Sequence, residues 1–538
     1  MKRLRITLNG SDGESLPTEF NTTKASYATD SGKFPMATWT LWHMDGYGLL
    51  YVVTGEKKYA DLARKCVEMA LDGQRDRDDR YAWNPPASEI RAGPCMQAMA
   101  LAYDLCYDAW DADFRQKIAL ELQNFKKRGN KPHSGHLDMS LEQLCLRPNM
   151  GPGSNHFGPQ VGGAAIALLA IKGDPGTDAA LIEKYLAGVQ KSFIAALTQG
   201  WGDHGFFAEG QGGPGGMAGS SAFVTALQAM KVAGGKDFIA PRPNAAWITL
   251  HWPMELIKKG DACCFPLRTK ADGSYGTDRF DRKGLSHGGQ FAQGFGAVAN
   301  DDQRAALLWV YQHFVEPGES TALEKGESYA CKDIKLKPGE KTFDVTVHPH
   351  RAVFALVNWP LGLQPKNPAE VLGHCAFDSI HNYLMVRNRW QDENDILVTA
   401  HLGKGPGGPY KKNSGPVMIW GLGQRLNLGN IGGSQAKAPP VTTADGSTIL
   451  TFTDGANVRS LGVDFSKASG ADALVVLTGP ADSKAKTVTL GDATLSIVML
   501  GASPEIKVEG DKAVIGGQTI TVKDGSLVFG KTAAPAKR

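Results

Sequence analysis

No apolar run in this 538-residue chain approaches the roughly 20 residues that a membrane-spanning helix needs, so insertion into a bilayer is not expected. An excess of one charge sign is also missing. The 58 Lys and Arg against 55 Asp and Glu leave a formal net charge of +3, too small for nucleic acid to be an expected partner. Any anionic ligand must be met by a local cleft. Cysteine is sparse: Cys66, Cys95, Cys106, Cys145, Cys263, Cys264, Cys331 and Cys375 include no Cys-x-x-Cys pair. That removes the commonest zinc and redox motifs and leaves buried free thiols as the expected state. The stretch "GQGGPGGMAG" lacks a Gly-Lys-Ser/Thr ending and a preceding strand, so it does not read as a phosphate cradle. "MKRLRITLNGSDGESLPTEF" starts basic but has no apolar core, and no signal peptide is read in it.

What is present is a change of periodicity. A chain of this length exceeds one ordinary core, so two domains are expected. Over residues 37–325 the spacing is helical, as in Leu62, Cys66 and Met69, and in Phe114, Ile118, Leu122 and Phe125 behind Asp111 as N-cap. Leu181, Tyr185, Val189 and Phe193 continue it, as do Phe223, Leu227 and Met230. Breaks such as "NPPASEIRAGP", "RPNMGPGS" and "EGQGGPGG" separate the helices without intervening strands. Stacked helical hairpins follow, forming an α/α toroid, an incomplete barrel, whose long loops gather at one end.

Over residues 340–530 the period becomes two, in "KTFDVTVHPHRAVFALVNW", "NYLMVRNRW" and "AVIGGQTITVKDGSLVFG", which predicts an antiparallel β-sandwich. Residues 1–36 read as an N-terminal extended segment and residues 531–538 as a disordered tail. The fold class is therefore multidomain α + β.

Within that frame, "NMGPGSNHFGPQVGGAAIALLAIKGDPG" sets Asn155 and His156 at the mouth of an apolar helix. Asn155 as a helix N-cap and His156 as an ordinary hydrogen-bonded imidazole are the bland alternatives. His348 and His350 alternate along an expected strand without an obvious third ligand. His374, Asp378 and His381 in "GHCAFDSIHN" have better donor chemistry for a divalent metal in the sandwich.

Four segments in order resemble one family. "GPCMQAMALAYDLCYDAW", "SNHFGPQVGGAAIALLAI", "DHGFFAEGQGGPGG" and "NYLMVRNRWQDENDILVTAHLG" are similar to segments of the heparinase II/III-like polysaccharide lyases. The resemblance implies a toroid followed by a sandwich, an acidic polysaccharide as partner, and a periplasmic or secreted setting. It also implies β-elimination at a uronic acid: a base removes the C5 proton, a donor neutralises the carboxylate, and an acid protonates the leaving O4. No cofactor is required by that chemistry, although a structural divalent metal in the sandwich fits the family.

Carried across, Asn155 is the carboxylate neutraliser and His156 the neighbouring base or substrate-binding His. Two family features are absent: no Tyr stands near Gly213, and "GKGPGGPYKKNSGPVMIW" replaces a His-rich sandwich segment. Tyr275 and His287 are candidate replacements for the acid and base, with Arg279, His204, Glu209, Tyr410 and Lys411 as substrate-binding candidates. Two other readings stand beside elimination. A toroidal glycoside hydrolase or epimerase would draw a carboxyl pair from Asp203, Glu209 and Asp278, and a carbohydrate-binding protein would have lost catalysis.

Overall fold

Helices that are apolar on every side must be covered on every side, and the first half of the chain is rich in them. The computed structural model describes residues 43–73, 75–76, 81–84, 92–126, 140–210, 215–267, 288–317, 349–403, 415–481 and 485–531. Among them the helices are α1 His43–Thr54, α2 Lys57–Leu71, α3 Ala92–Leu105, α4 Ala112–Gln123, α5 Leu141–Leu146, α6 Phe157–Ala170 and α7 Ala179–Ala195. They continue with α8 Gly215–Val232, α9 Asn244–Glu255, α10 Gly288–Gln293, α11 Asp301–Val310, α12 Pro349–Asn358 and α13 Pro368–Val371.

Helix contacts run in a circuit from α1 to α3, α6, α8, α10 and α12, and from α12 back to α1. Outside it, α2 packs on α1, α4 on α3, and α7 on α6. This is the toroid. Every residue of α6 from Phe157 to Leu168 is buried because α3, α7 and α8 surround it. The Gly162-Gly163 pair makes that possible: a Cβ on Gly163 would lie 2.0 Å from the Gly93 carbonyl oxygen of α3, and one on Gly162 2.6 Å from Ala222 of α8.

The amphipathic stripes agree with the sequence in most places. Asp111 caps α4 by accepting from the Phe114 N–H at 2.9 Å, and Phe114, Ile118, Leu122 and Phe125 are buried. In α2 the buried stripe is Tyr59, Ala60, Ala63, Cys66, Val67 and Ala70, with Leu62 and Met69 at its half-buried margin. One element differs in kind. "PHRAVFALVN", expected as a strand, is helix α12, which completes the circuit of helix contacts by burying Val353 and Phe354. A short continuous apolar run satisfies either period, and packing decides it.

The second half forms layers. Strands β1 Cys375–Asp378, β2 Tyr383–Arg387, β3 Leu397–His401, β4 Pro416–Gly421 and β5 Gln424–Asn430 make an antiparallel sheet in sequential order. A seven-stranded antiparallel sheet from Gln435 to Leu500 faces it, and a four-stranded meander from Ile506 to Lys531 covers the far side. Leu384, Val386 and Val398 meet Leu450, Val463 and Val475 between the first two sheets. Leu474, Val476 and Ile497 meet Ala513, Ile515 and Ile520 on the outer side. The predicted sandwich therefore carries a third layer.

Alternate residues of β2 point the other way. Tyr383 and Met385 pack with Phe206, Leu250 and Trp252 of the helical half. With both faces covered, all five residues of β2 are buried.

Arg387 fastens this contact. It reaches from the end of β2 to the C-terminus of α9, where Nη1 donates to the carbonyls of Pro253 at 2.6 Å and Leu256 at 3.0 Å. Those carbonyls belong to a helix end that has no further turn to satisfy them. Nη2 pairs with Asp395 at 3.0 Å, Nε donates to the Arg389 carbonyl, and the guanidinium stacks on Trp390. Burial pulls its pKa down to about 10, with Asp395 opposing the shift, so it remains a cation at neutral pH.

Candidate active site

The Asn155-His156 turn sits where the sequence reading put it, at the start of α6. His156 occupies the cap position in a right-handed conformation without a side-chain cap, and Asn155 is buried at 6 % exposure. Asn155 is held by Glu209, whose carboxylate accepts the Asn155 backbone N–H at 2.5 Å across 54 residues of chain. The approach is set by Gly200, where a Cβ would lie 2.2 Å from the Pro152 carbonyl oxygen. Burial pushes the Glu209 pKa up, opposed by the Asn155 N–H, so this carboxyl holds its proton more readily than an exposed one. Two residues singled out separately in the sequence are thus neighbours.

Glu209 ends a tight loop. Trp201 and Phe207 pair as an antiparallel bridge with their rings 4.5 Å apart, and Gly202 N–H donates to the Phe206 carbonyl. The loop is joined to the first sheet by two carboxylates acting in opposite directions. From the sheet, Asp378 accepts the N–H groups of His204 and Phe206, both at 3.0 Å, and that of His381 at 2.9 Å. From the loop, Asp203 accepts the N–H of Ser379 at 2.8 Å and its hydroxyl at 2.6 Å. Gly202 has to be glycine here, because a Cβ would lie 2.0 Å from both oxygens of Asp378.

These contacts set the titration of the dock. Burial pushes Asp378 up to about 6, and the charge on Asp203 adds to it against the N–H donors. Burial also raises Asp203, but the His204 and Ser379 hydrogen bonds outweigh it and its pKa is lowered. His381 is pushed down to about 4 by burial first and the nearby His401 second.

The signs then follow from linkage. Asp378 binds its proton more tightly in the folded chain, so its contribution to stability is complete below its usual 3.8 and is lost as pH rises through about 6. His381 does the reverse: its contribution is complete above 6.5 and is lost as pH falls through about 4. Each amounts to ~3 kcal/mol over nearly the same window, so the two slopes offset one another. In urea unfolding at pH 4 and pH 7, the deficit of Asp378→Asn relative to wild type is expected to shrink as pH rises. That of His381→Gln is expected to grow; parallel trends would contradict the assignment.

The sequence reading missed the groups beneath this loop. On α9, His251 and Glu255 are four residues apart and 1 % exposed, with His251 Nε2 3.4 Å from Glu255 Oε2. Tyr383 of β2 donates its hydroxyl to Glu255 Oε1 at 2.6 Å, and His251 Nδ1 meets the His204 carbonyl at 3.0 Å. His401 closes the cluster, its ring 4.8 Å from Phe206 and 5.8 Å from Tyr383. The i, i+4 spacing in "HWPME" was the available signal.

Of the other expected residues, His204 lies in the loop with its ring against Trp247 and Nδ1 3.4 Å from Asp203. Tyr275, Arg279, His287, Tyr410 and Lys411 lie outside the described residues, as do Asp278 and His348. The three metal candidates have separate engagements. His374 Nδ1 contacts the Arg387 carbonyl at 3.0 Å, Asp378 is taken up by the loop, and His381 packs at Phe206. Among the described residues no three His, Cys, Asp or Glu side chains are grouped to hold a metal. The described cysteines are free thiols, buried except for the half-buried Cys375. No described helix is long and apolar enough to cross a membrane.

No family model matches the sequence, and no curated protein matches it. Among solved structures, the heparan sulfate lyase HepC from Pedobacter heparinus is similar at 12 % identity, over 99 % of this chain and 88 % of that one, with a TM-score of 0.42. A mutant of that lyase is similar at 11 % identity, over 96 % and 87 %, with a TM-score of 0.43. A heparinase III is similar at 12 % identity, over 97 % and 73 %, with a TM-score of 0.39.

Proposed function

We propose that the protein is a polysaccharide lyase that cleaves a uronate-containing acidic glycan by β-elimination. The observation that carries this reading is the meeting of Asn155 and Glu209 at the mouth of α6, 2.5 Å apart through the Asn155 N–H. Elimination raises negative charge on the uronate carboxylate as the C5 proton leaves, and it is favoured by donors fixed in place beforehand. The Asn155 amide supplies such a donor, and Glu209, whose pKa burial pushes up, holds the turn beside it. His156, adjoining them, takes the C5 proton, and the leaving O4 is protonated by one of Tyr275, His287 or Tyr410. Arg279, His204 and Lys411 bind neighbouring acidic groups.

Elimination needs no metal or redox group. A polymer substrate fits work in the periplasm or outside the cell. Hydrolysis is less well supported by the described residues. Asp203, one of the carboxyls it would recruit, has both oxygens on Ser379.

The test is ultraviolet absorbance of the conjugated unsaturated uronate, followed on a panel of acidic polysaccharides. Wild type is expected to raise it, and His156→Ala to abolish the rise with the fold retained. New reducing ends without absorbance would move the protein to the hydrolases. Tight binding with neither signal would make it a glycan-binding protein.

A further inference from the structure

We propose that His251 is a positioning residue, which holds the Trp201–Phe207 loop so that Glu209 meets the Asn155 turn. A carbonyl only accepts, so the 3.0 Å contact with the His204 oxygen fixes Nδ1 as the nitrogen that carries hydrogen. Nε2 then faces Glu255 Oε2 at 3.4 Å, a contact without a hydrogen bond, so the His204 carbonyl is the partner that orients the imidazole. Glu255 is itself fixed from the sheet by the Tyr383 hydroxyl at 2.6 Å.

Three hydrogen bonds and the His251–Glu255 contact form a circuit. It passes from Tyr383 to Glu255, His251 and the His204 carbonyl, then from the His204 N–H back to the sheet at Asp378. The loop backbone lies directly on α9 within this circuit. Gly205, with φ +76°, is so close that a Cβ would lie 1.9 Å from the Trp247 carbonyl oxygen and 3.1 Å from His251 Cβ. Glu209 is two residues beyond the Trp201–Phe207 bridge, so a change in the loop's seat is passed to it. His251 acts through the loop and does not touch the candidate substrate site.

The inference rests on the lyase reading only in treating Glu209 as a site group. Its test is hydrogen exchange, which needs no substrate. His251→Asn keeps a donor near the Nδ1 position, whereas His251→Leu removes it. In the full-length protein, His251→Leu is expected to speed exchange at the Asn155 and Phe206 amides about tenfold. His251→Asn is expected to restore slow exchange, and the Val475 and Val476 amides of the second sheet are expected to stay unchanged in both.

Unchanged exchange at Asn155 in His251→Leu would overturn the proposal. So would equal acceleration in both variants, which would assign the effect to imidazole packing, or acceleration that includes Val475 and Val476, which would mark general loss of structure. Absence of unsaturated product from wild type would sink the lyase reading and leave the exchange result standing.

Discussion

Arg387→Ala is expected to lower the unfolding free energy by about 2–4 kcal/mol, because it leaves helix-end carbonyls without their donor and takes one of two cations from the buried Asp395, which keeps Arg389. Asp395 and Arg387 are both fully buried, so water does not replace the lost bond without entering the interface. The loss falls where the helical half and the sheet are joined. Arg387 is on β2, while the carbonyls of Pro253 and Leu256 lie at the end of α9. Urea unfolding followed by both circular dichroism and tryptophan fluorescence checks this. One transition in wild type is expected to become two in the variant, with the midpoint of the first lowered. A variant as stable as wild type would contradict the assigned role.

Asn155→Ala is expected to reduce turnover of the acidic glycan about 10²–10³-fold, the size of effect seen when one fixed donor to a developing negative charge is removed. The backbone N–H that meets Glu209 survives the substitution, so the turn is expected to keep its place. Turnover is therefore expected to fall more than substrate affinity. Steady-state kinetics separate the two, with circular dichroism reporting the fold. A change confined to KM would instead assign Asn155 to ground-state binding.

Much of the architecture was written in local periodicity. The stripes of α4 and α7 and the hairpin at Asp524-Gly525 follow from spacing and turn chemistry, each of which acts within a few residues. "RAVFALVN" misled because its apolar run has no polar alternation to show which face is covered; its burial in the helix circuit is a tertiary fact. The third layer was hidden for a similar reason. "ALVVLT" is buried on both faces, and an unbroken apolar strand does not say what lies on either side.

The site was legible only in part. Asn155, His156 and Glu209 stood out through residue type beside glycine-rich turns. Asp378 and His381 stood out as well, but their chemistry is spent on backbone amides and packing, and a donor list cannot distinguish that from metal binding. His251, Glu255, Tyr383 and Arg387 were missed because each looks like an ordinary residue until α9 and β2 meet. The Tyr383–Glu255 and Arg387–Pro253 bonds span more than a hundred residues, and the His251 bond to the His204 carbonyl spans 47.

Elimination and hydrolysis leave products of different mass. Wild-type protein incubated with a uronate-containing polysaccharide is predicted to release fragments with an unsaturated uronate at the new non-reducing end, each one water lighter than its hydrolysis counterpart. Fragments of full hydrated mass, carrying new reducing ends and no ultraviolet absorbance, would contradict elimination.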